Sequence, residues 1–265
     1  MIGVADLDFQ LTRVRGILAD EAPDWSVRVA SRRPTSVGRL RELLGDEADA
    51  LDVVLASVAL QEDPLLARRL GVGVPGSSAG PSIVTLCALL NRAVPSLAEE
   101  GPVGTLAVLV PSVSDDGAAG PVHVPGHWIS SLRGERELSG ELSGCARRLE
   151  PHPDEAPALD PALLETVARF FEQRNSAGLA VALEGPVGTA AGLAGAFGRP
   201  LIEVDAARVA RSPRAKTLLR ILLTEAQLYD ELVALRDPDA LLDTAADLAL
   251  TSLLAGRHAC VLVLV

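Results

Sequence analysis

The segment Gly185–Gly192 has the length and the Gly-Pro-x-Gly-Thr opening of a phosphate-binding loop of the Walker A type. It follows an apolar run, Leu179–Leu183, and precedes a helical segment of small residues. A strand, a glycine-rich loop and a helix in that order let backbone amides surround a phosphate group. The loop therefore predicts a nucleotide-binding frame, built from Gly185, Pro186, Val187, Gly188, Thr189, Ala190, Ala191 and Gly192.

The side chains that do chemistry in such a loop are missing. Ala190, Ala191 and Gly192 stand where a working loop has glycine, lysine and a hydroxyl residue. The lysine contacts the β- and γ-phosphates and the hydroxyl binds Mg²⁺. The single lysine of the sequence, Lys216, lies well downstream. We therefore expect weak nucleotide binding or none at the loop, no catalytic residue, no metal site and no tightly bound cofactor.

Composition excludes several classes of function. With 265 residues, of which 48% are hydrophobic, the chain can bury a sizeable core in one large or two ordinary domains. Its net charge is −11, and neither half has the basic excess that supports nucleic-acid binding. No apolar run is long enough to span a membrane, and the amino terminus lacks a signal core. We expect a cytoplasmic protein with no nucleic-acid or membrane partner.

The other residues that could do chemistry form no recognisable site. The cysteines lack the spacing of a disulfide framework or zinc site, and the histidines lack ligand-like neighbours. Ser77 and Ser78 resemble an anion nest, although a flexible loop is the favoured interpretation, and no Gly-x-Ser-x-Gly elbow occurs. The cysteines of the sequence are Cys87, Cys145 and Cys260, and its histidines are His123, His127, His152 and His258.

The first half of the chain has the element order of a winged helix. After a helix and connector in residues 1–35, three short helices are predicted and then two extended runs separated by a turn. A short helix carrying Trp128 follows, and the winged-helix-like domain is expected at 36–132. The predicted helices are Val37–Leu44 capped by Ser36, Ala50–Leu60 capped by Asp46, Ile83–Asn91 and Pro125–Leu132; the extended runs are Gly104–Val110 and Gly120–Pro125.

The third helix would be the recognition helix of a DNA-binding protein. It offers Ser82, Thr85, Asn91 and Arg92 among mostly apolar residues. Such a face favours protein docking or a structural role over DNA binding.

Residues 133–159 are charged and then rich in proline, which predicts a linker. Residues 160–265 then alternate helices and strands, a pattern typical of a parallel sheet with helices on its faces. The predicted strands are 179–183, 200–204, 232–235 and 259–265; the predicted helices are 161–173, 191–197, 213–229 and 239–255.

Two groups of phrases resemble AAA+ ATPases. Gly185–Thr189, followed by Leu193-Ala194 and Gly198–Asp205, is similar to the start of an AAA+ module. The upstream phrases resemble the winged-helix-bearing AAA+ ATPases encoded with phage-tail-like contractile injection systems; they are Leu51–Leu60, Pro81–Leu86 and Pro121–Pro125. The resemblance, over roughly residues 40–265, implies an α/β fold: an N-terminal winged-helix-like domain, then an incomplete AAA+ (P-loop type) parallel sheet with flanking helices.

The chain departs from that family where the chemistry lies. The third strand of an active module ends in Asp-Glu, which holds Mg²⁺ and orients water, whereas Arg236 and Asp237 stand here, before Pro238 and Asp239. The fifth strand, the arginine finger and the helical lid have no counterpart before Val265. The last apolar run is expected to form a bare sheet edge, covered by a partner or by further chain.

We therefore expect a catalytically inactive AAA+-like (pseudo-ATPase) module, with a structural, docking or regulatory role. The resemblance implies a protein partner, either an active AAA+ ATPase or a component of a contractile injection particle. Two alternatives stay open: the front of a longer AAA+ ATPase whose second module hydrolyses ATP, and a winged-helix DNA-binding regulator.

Overall fold

The computed structural model describes residues 2–19, 36–44, 48–72, 80–92, 122–150, 159–173, 181–184, 188–242, 244 and 261–264. The chain is a mixed α/β protein, mostly helical in these residues. It divides into two compact units, Met1–Glu137 and Leu138–Val265. None of the described helices is long and apolar enough to cross a membrane.

The described part of the first unit is helical. Its central helix is buried at every position from 51 to 60, and α1, α2, α4 and α5 pack against it. A helix that is apolar on all faces is stable only when neighbours surround it. The helices are α1 Ile2–Leu18, α2 Ser36–Leu44, the central α3 Ala48–Glu62, α4 Pro64–Arg69, α5 Ile83–Leu90 and α6 Gly126–Leu132.

One helix of this unit, α4, was not predicted although its start signal is present in the sequence. The Asp63 carboxylate accepts hydrogen bonds from the backbone N–H groups of Leu65 and Leu66, at 3.1 and 3.0 Å. Pro64 occupies the first helical position. An acidic cap followed by proline is a strong signal for a helix start. Because α4 begins directly after α3 ends, the sequence pattern did not separate the two helices.

The hairpin expected of a winged helix falls mostly on residues 104–121, outside the described part of the chain. Residues 122–125 are described and are not a strand, which corrects the second predicted run there. The backbone of Val122 is engaged elsewhere: its N–H donates to Pro81 O at 2.8 Å, and its carbonyl accepts from Ser57 Oγ at 3.2 Å. The winged-helix-like domain at 36–132 stays a prediction.

Gly80 is expected to be essential to this packing. A Cβ atom there would lie 2.5 Å from the carbonyl oxygen of Val122. Gly80→Ala should displace Val122 from Ser57 and lower the free energy of unfolding by about 1–3 kcal/mol, measured by urea denaturation. Gly126→Ala is the matched control, because a Cβ there meets nothing within 4 Å. Equal stability of the two variants would contradict this account.

The second unit contains a mixed sheet flanked by helices. The order of its described strands is β1-β3-β4-β5-β2. β1 is antiparallel to β3, and the other neighbours are parallel. The strands are β1 Ala146–Leu149, β2 Val181–Glu184, β3 Leu201–Asp205, β4 Leu232–Arg236 and β5 Val261–Leu264; the helices are α7 Pro161–Gln173, α8 Thr189–Phe197, α9 Ala206–Arg211, α10 Ala215–Tyr229 and a short 3₁₀ turn, Pro238–Leu241.

Two expectations about this sheet are corrected. The predicted linker, 133–159, contains β1. This strand was not predicted because Arg147 and Arg148 make its sequence look like a charged loop, although charged side chains are common in edge strands. The last apolar run is not a bare edge. Val261–Leu264 pairs with β4 on one side and with β2 on the other. A continuous apolar run is typical of an interior parallel strand, and among the described strands β2 and β1 take the two edge positions.

Candidate functional site

The loop predicted from the sequence lies between β2 and α8. Gly185, Pro186 and Val187 fall outside the described residues. Gly188 has a φ of 102° and caps α8, which begins at Thr189 rather than at Ala191 as predicted. A strand and a helix therefore flank the loop in the predicted order.

The small residues at the start of α8 pack the helix onto its neighbours. Ala190 is 5% exposed and joins Leu193 and Ala194 in a core with residues of β3 and β4. A Cβ at Gly192 would lie 3.0 Å from Leu159 Cγ. Ala191 alone among residues 189–192 is exposed. Positions 190 and 192 thus serve helix packing here, where a working loop has its glycine and its magnesium-binding hydroxyl.

The position expected for a metal-binding acid holds a cation that is already paired. Arg236 ends β4 beside Asp205, which ends β3. Arg236 Nη2 donates to Asp205 Oδ2 at 3.3 Å. The next residue, Asp237, is left-handed with a φ of 55° and precedes the 3₁₀ turn that contains Asp239. No cluster of His, Cys, Asp or Glu in the described residues could hold a metal ion.

Asp205 is held as a carboxylate by its surroundings. Its Oδ1 accepts the backbone N–H of Arg208 at 3.0 Å. That bond, followed by the charges of Arg208 and Arg236, keeps the pKa of Asp205 below its ordinary value, although desolvation acts the other way. The carboxylate is thus available to orient both guanidinium groups.

A buried cluster of two acids and one arginine lies under β1 and was not predicted. Arg148 Nε lies 2.9 Å from Glu231 Oε1, and Arg148 Nη2 lies 3.5 Å from Glu225 Oε2. Both glutamate side chains are fully buried. The Arg148 guanidinium carbon is also 5.0 Å from the centre of the Tyr229 ring. Sequence spacing gave no signal, because Glu225 and Arg148 meet only once the sheet forms.

Burial, with a smaller contribution from the nearby Glu231 charge, raises the pKa of Glu225 to about 7. Two contacts oppose that shift: the Ser139 N–H, which donates to Glu225 Oε1 at 2.8 Å, and the charge of Arg148. Glu225 therefore binds a proton more tightly in the folded chain than in the unfolded chain, where its pKa is near 4.5.

We expect this difference to make stability fall as pH rises. The contribution of Glu225 is fully present below pH 4.5 and lost above about pH 7, and the shift corresponds to about 3 kcal/mol. Glu225→Gln keeps an acceptor for Ser139 and should remove this fall, measured by urea unfolding from pH 5 to pH 8. Glu165→Gln is the control, since Glu165 is 65% exposed. An unchanged pH slope in Glu225→Gln would contradict the assignment.

The polar residues of the predicted recognition helix have partners within the first unit. Ser82 Oγ accepts the Thr85 N–H at 3.2 Å and caps α5. Asn91 is the left-handed residue that ends α5. Arg92 pairs at 3.1 Å with Asp52, which also pairs with Arg13 and is 4% exposed. None of these contacts favours a DNA-binding face.

The remaining candidates are placed as follows. Cys87 and Cys145 are buried free thiols, and burial raises the pKa of Cys145. His123 Nδ1 lies 2.7 Å from the side-chain amide of Gln61, and the His127 ring lies 4.9 Å from that of buried Trp128. The others lie outside the described residues: Cys260, His152, His258, Ser77 and Ser78.

Comparisons with known proteins add nothing to these observations. No protein-family model, curated protein or solved structure matches the chain.

Proposed function

We propose that this chain is a catalytically inactive AAA+-like module with a structural, docking or regulatory role. The observation that carries the proposal is the order of the described strands, β3-β4-β5-β2. The strand that precedes the loop, β2, is separated from β4 by β5, which comes last in sequence. AAA+ modules likewise insert their fourth strand between the loop strand and the third strand. The resemblance of the loop phrase and this order therefore point to the same frame.

The inactivity follows from the loss of two charged groups and one hydroxyl that catalysis requires. The loop lacks the lysine and the magnesium-binding hydroxyl, and Arg236 with Asp237 replaces the acid pair at the end of β4. The Arg236–Asp205 ion pair supports this, because a cation bound to the neighbouring carboxylate disfavours Mg²⁺ at the same place. Phosphoryl transfer depends mainly on such positioned charges, so their loss removes the means of catalysis.

The setting that we propose is assembly or remodelling of a phage-tail-like contractile injection particle. It rests on the resemblance of the upstream phrases to the winged-helix-bearing ATPases of those systems. The partner would be an active AAA+ ATPase or a particle component. Among the described strands β2 has a single neighbour, and an unpaired edge is a common place for another chain to add a strand.

The proposal is tested by phosphate release and light scattering on the purified chain. We expect no hydrolysis of Mg·ATP, and a monomer or dimer, since nucleotide between subunits helps to hold AAA+ rings together. Ala191→Glu is the matched control, because a carboxylate at this exposed loop position repels phosphate. Hydrolysis by the native chain that Ala191→Glu abolishes would refute the proposal, as would a stable hexamer of the chain alone. Equal release by both would reveal a contaminant and leave the native chain inactive.

A further inference from the structure

An open groove lies at the carboxyl ends of β3 and β4, next to the start of β1. Its volume is about 290 Å³, and Arg147, Arg208 and Arg236 line it together with Glu203 and Asp205. Ligands of open parallel sheets commonly bind outside the carboxyl ends of the strands. The groove therefore lies where a ligand is expected, but beside β1 and β3 rather than beside the loop strand β2.

The charge that this groove presents to solvent is positive. The side chains of Arg147, Arg208 and Arg236 are 66%, 62% and 50% exposed, whereas those of Glu203 and Asp205 are 22% and 21% exposed. The carboxylates thus lie beneath the guanidinium groups. Three cations against two anions leave the groove with a net charge of +1, in a chain whose net charge is −11.

The guanidinium groups are held in place. Glu203 accepts a hydrogen bond from Arg147 Nε, and Asp205 lies 3.2 Å from Arg208 Nε and 3.3 Å from Arg236 Nη2. Arg208 Nη1 also donates to Gly144 O at 2.7 Å. The Asp205 N–H donates to Cys145 O at 2.8 Å, which fixes the carboxylate relative to β1. Oriented guanidinium groups lose little freedom when they bind an oxyanion.

We propose that this groove, formed by Arg147, Arg208 and Arg236 over Glu203 and Asp205, binds the phosphate group of a small phosphomonoester. Tetrahedral oxyanions suit guanidinium donors, which bind phosphate with paired hydrogen bonds. The volume is close to the lower end for small-ligand sites, which favours a compact phosphorylated molecule over a nucleotide. The proposal is independent of the function proposed above, because none of these residues belongs to the loop.

The test is a calorimetric titration of the full chain with inorganic phosphate and with phosphoserine, at pH 8 and constant ionic strength. We expect saturable binding of both probes with dissociation constants of about 1–10 mM, as a few charge-assisted hydrogen bonds would give. Acetate should bind more weakly, because it carries one negative charge whereas phosphate carries nearly two at pH 8. Arg147→Gln and Arg236→Gln should each weaken phosphate binding about tenfold.

Two control variants distinguish phosphate binding in the groove from phosphate binding elsewhere on the chain. Arg169→Gln removes an exposed arginine of α7 and should leave the affinity unchanged, as should Ala191→Glu in the loop. Circular dichroism checks that each variant is folded, and Arg208→Gln replaces either groove variant that is not. The proposal is overturned by an absence of saturable binding, by equal binding of acetate, by groove variants that bind like the native chain, or by loss of binding in Ala191→Glu.

Discussion

Replacing Arg148 with methionine is expected to lower the free energy of unfolding by about 3–5 kcal/mol at pH 8. The change removes the cation that Glu225 and Glu231 share, and two fully buried carboxylates then lose the positive charge beside them. Methionine retains most of the side-chain volume, so the loss reports on charge more than on packing. Urea denaturation followed by circular dichroism measures it.

The matched control is Arg169→Met, which removes an arginine that is 69% exposed and pairs with Glu165 within one helix. It should cost less than about 1 kcal/mol. Combining Arg148→Met with Glu225→Gln and Glu231→Gln should restore part of the lost stability, since this cluster then contains no buried charge. If Arg148→Met is no more harmful than Arg169→Met, the buried cluster does not exist as described.

Restoring the loop is expected to create nucleotide affinity where we expect the native chain to have little or none. The change combines Ala190→Gly, Ala191→Lys and Gly192→Thr. Leu159→Ala is added because a Cβ at position 192 would lie 3.0 Å from the Leu159 side chain. The loop amides and the new lysine should then bind Mg·ATP with a dissociation constant on the order of 10–100 μM. Hydrolysis should stay absent because Arg236 is unchanged.

The control for this variant is Ala196→Lys in the native loop background. It adds the same charge at an exposed position of the same helix, α8, but away from the loop. It should not bind nucleotide, as judged by calorimetry. A restored variant that folds but binds no more nucleotide than Ala196→Lys would show that the segment between β2 and α8 is not a phosphate-binding frame.

Local patterns predicted several elements of the second unit but not all of them. They missed β1 and α9, and residues 239–241 belong to a 3₁₀ turn rather than to the start of the predicted helix 239–255. The bounds of α7, Pro161–Gln173, were predicted without error, because Asp160 and Pro161 mark its start. The predicted end of β4 was one residue too early, because the apolar run stops at Leu235 and the strand continues to Arg236. The order of the strands was not predictable in the same way. Nothing local to Val261–Leu264 indicates that it inserts between β4 and β2.

In the candidate site too, the local residue types were predictable from the sequence, whereas the contacts between distant residues were not. The residue types at Ala190, Ala191 and Gly192 were enough to predict a loop without its reactive groups. The pairing of Arg236 with Asp205 was not predictable, because those residues are neighbours only through the register of β3 and β4. The buried charge of Glu225 was missed because its partner, Arg148, lies in a segment whose composition suggested a linker.

The most direct test of the central claim is a calorimetric titration of the native chain with Mg·ATP. That claim is that the second unit has an AAA+-like frame without a working nucleotide site. We predict no saturable heat up to millimolar nucleotide, because the lysine, the magnesium-binding hydroxyl and the metal-binding acid are all replaced. A dissociation constant in the micromolar range for the native chain would contradict the account.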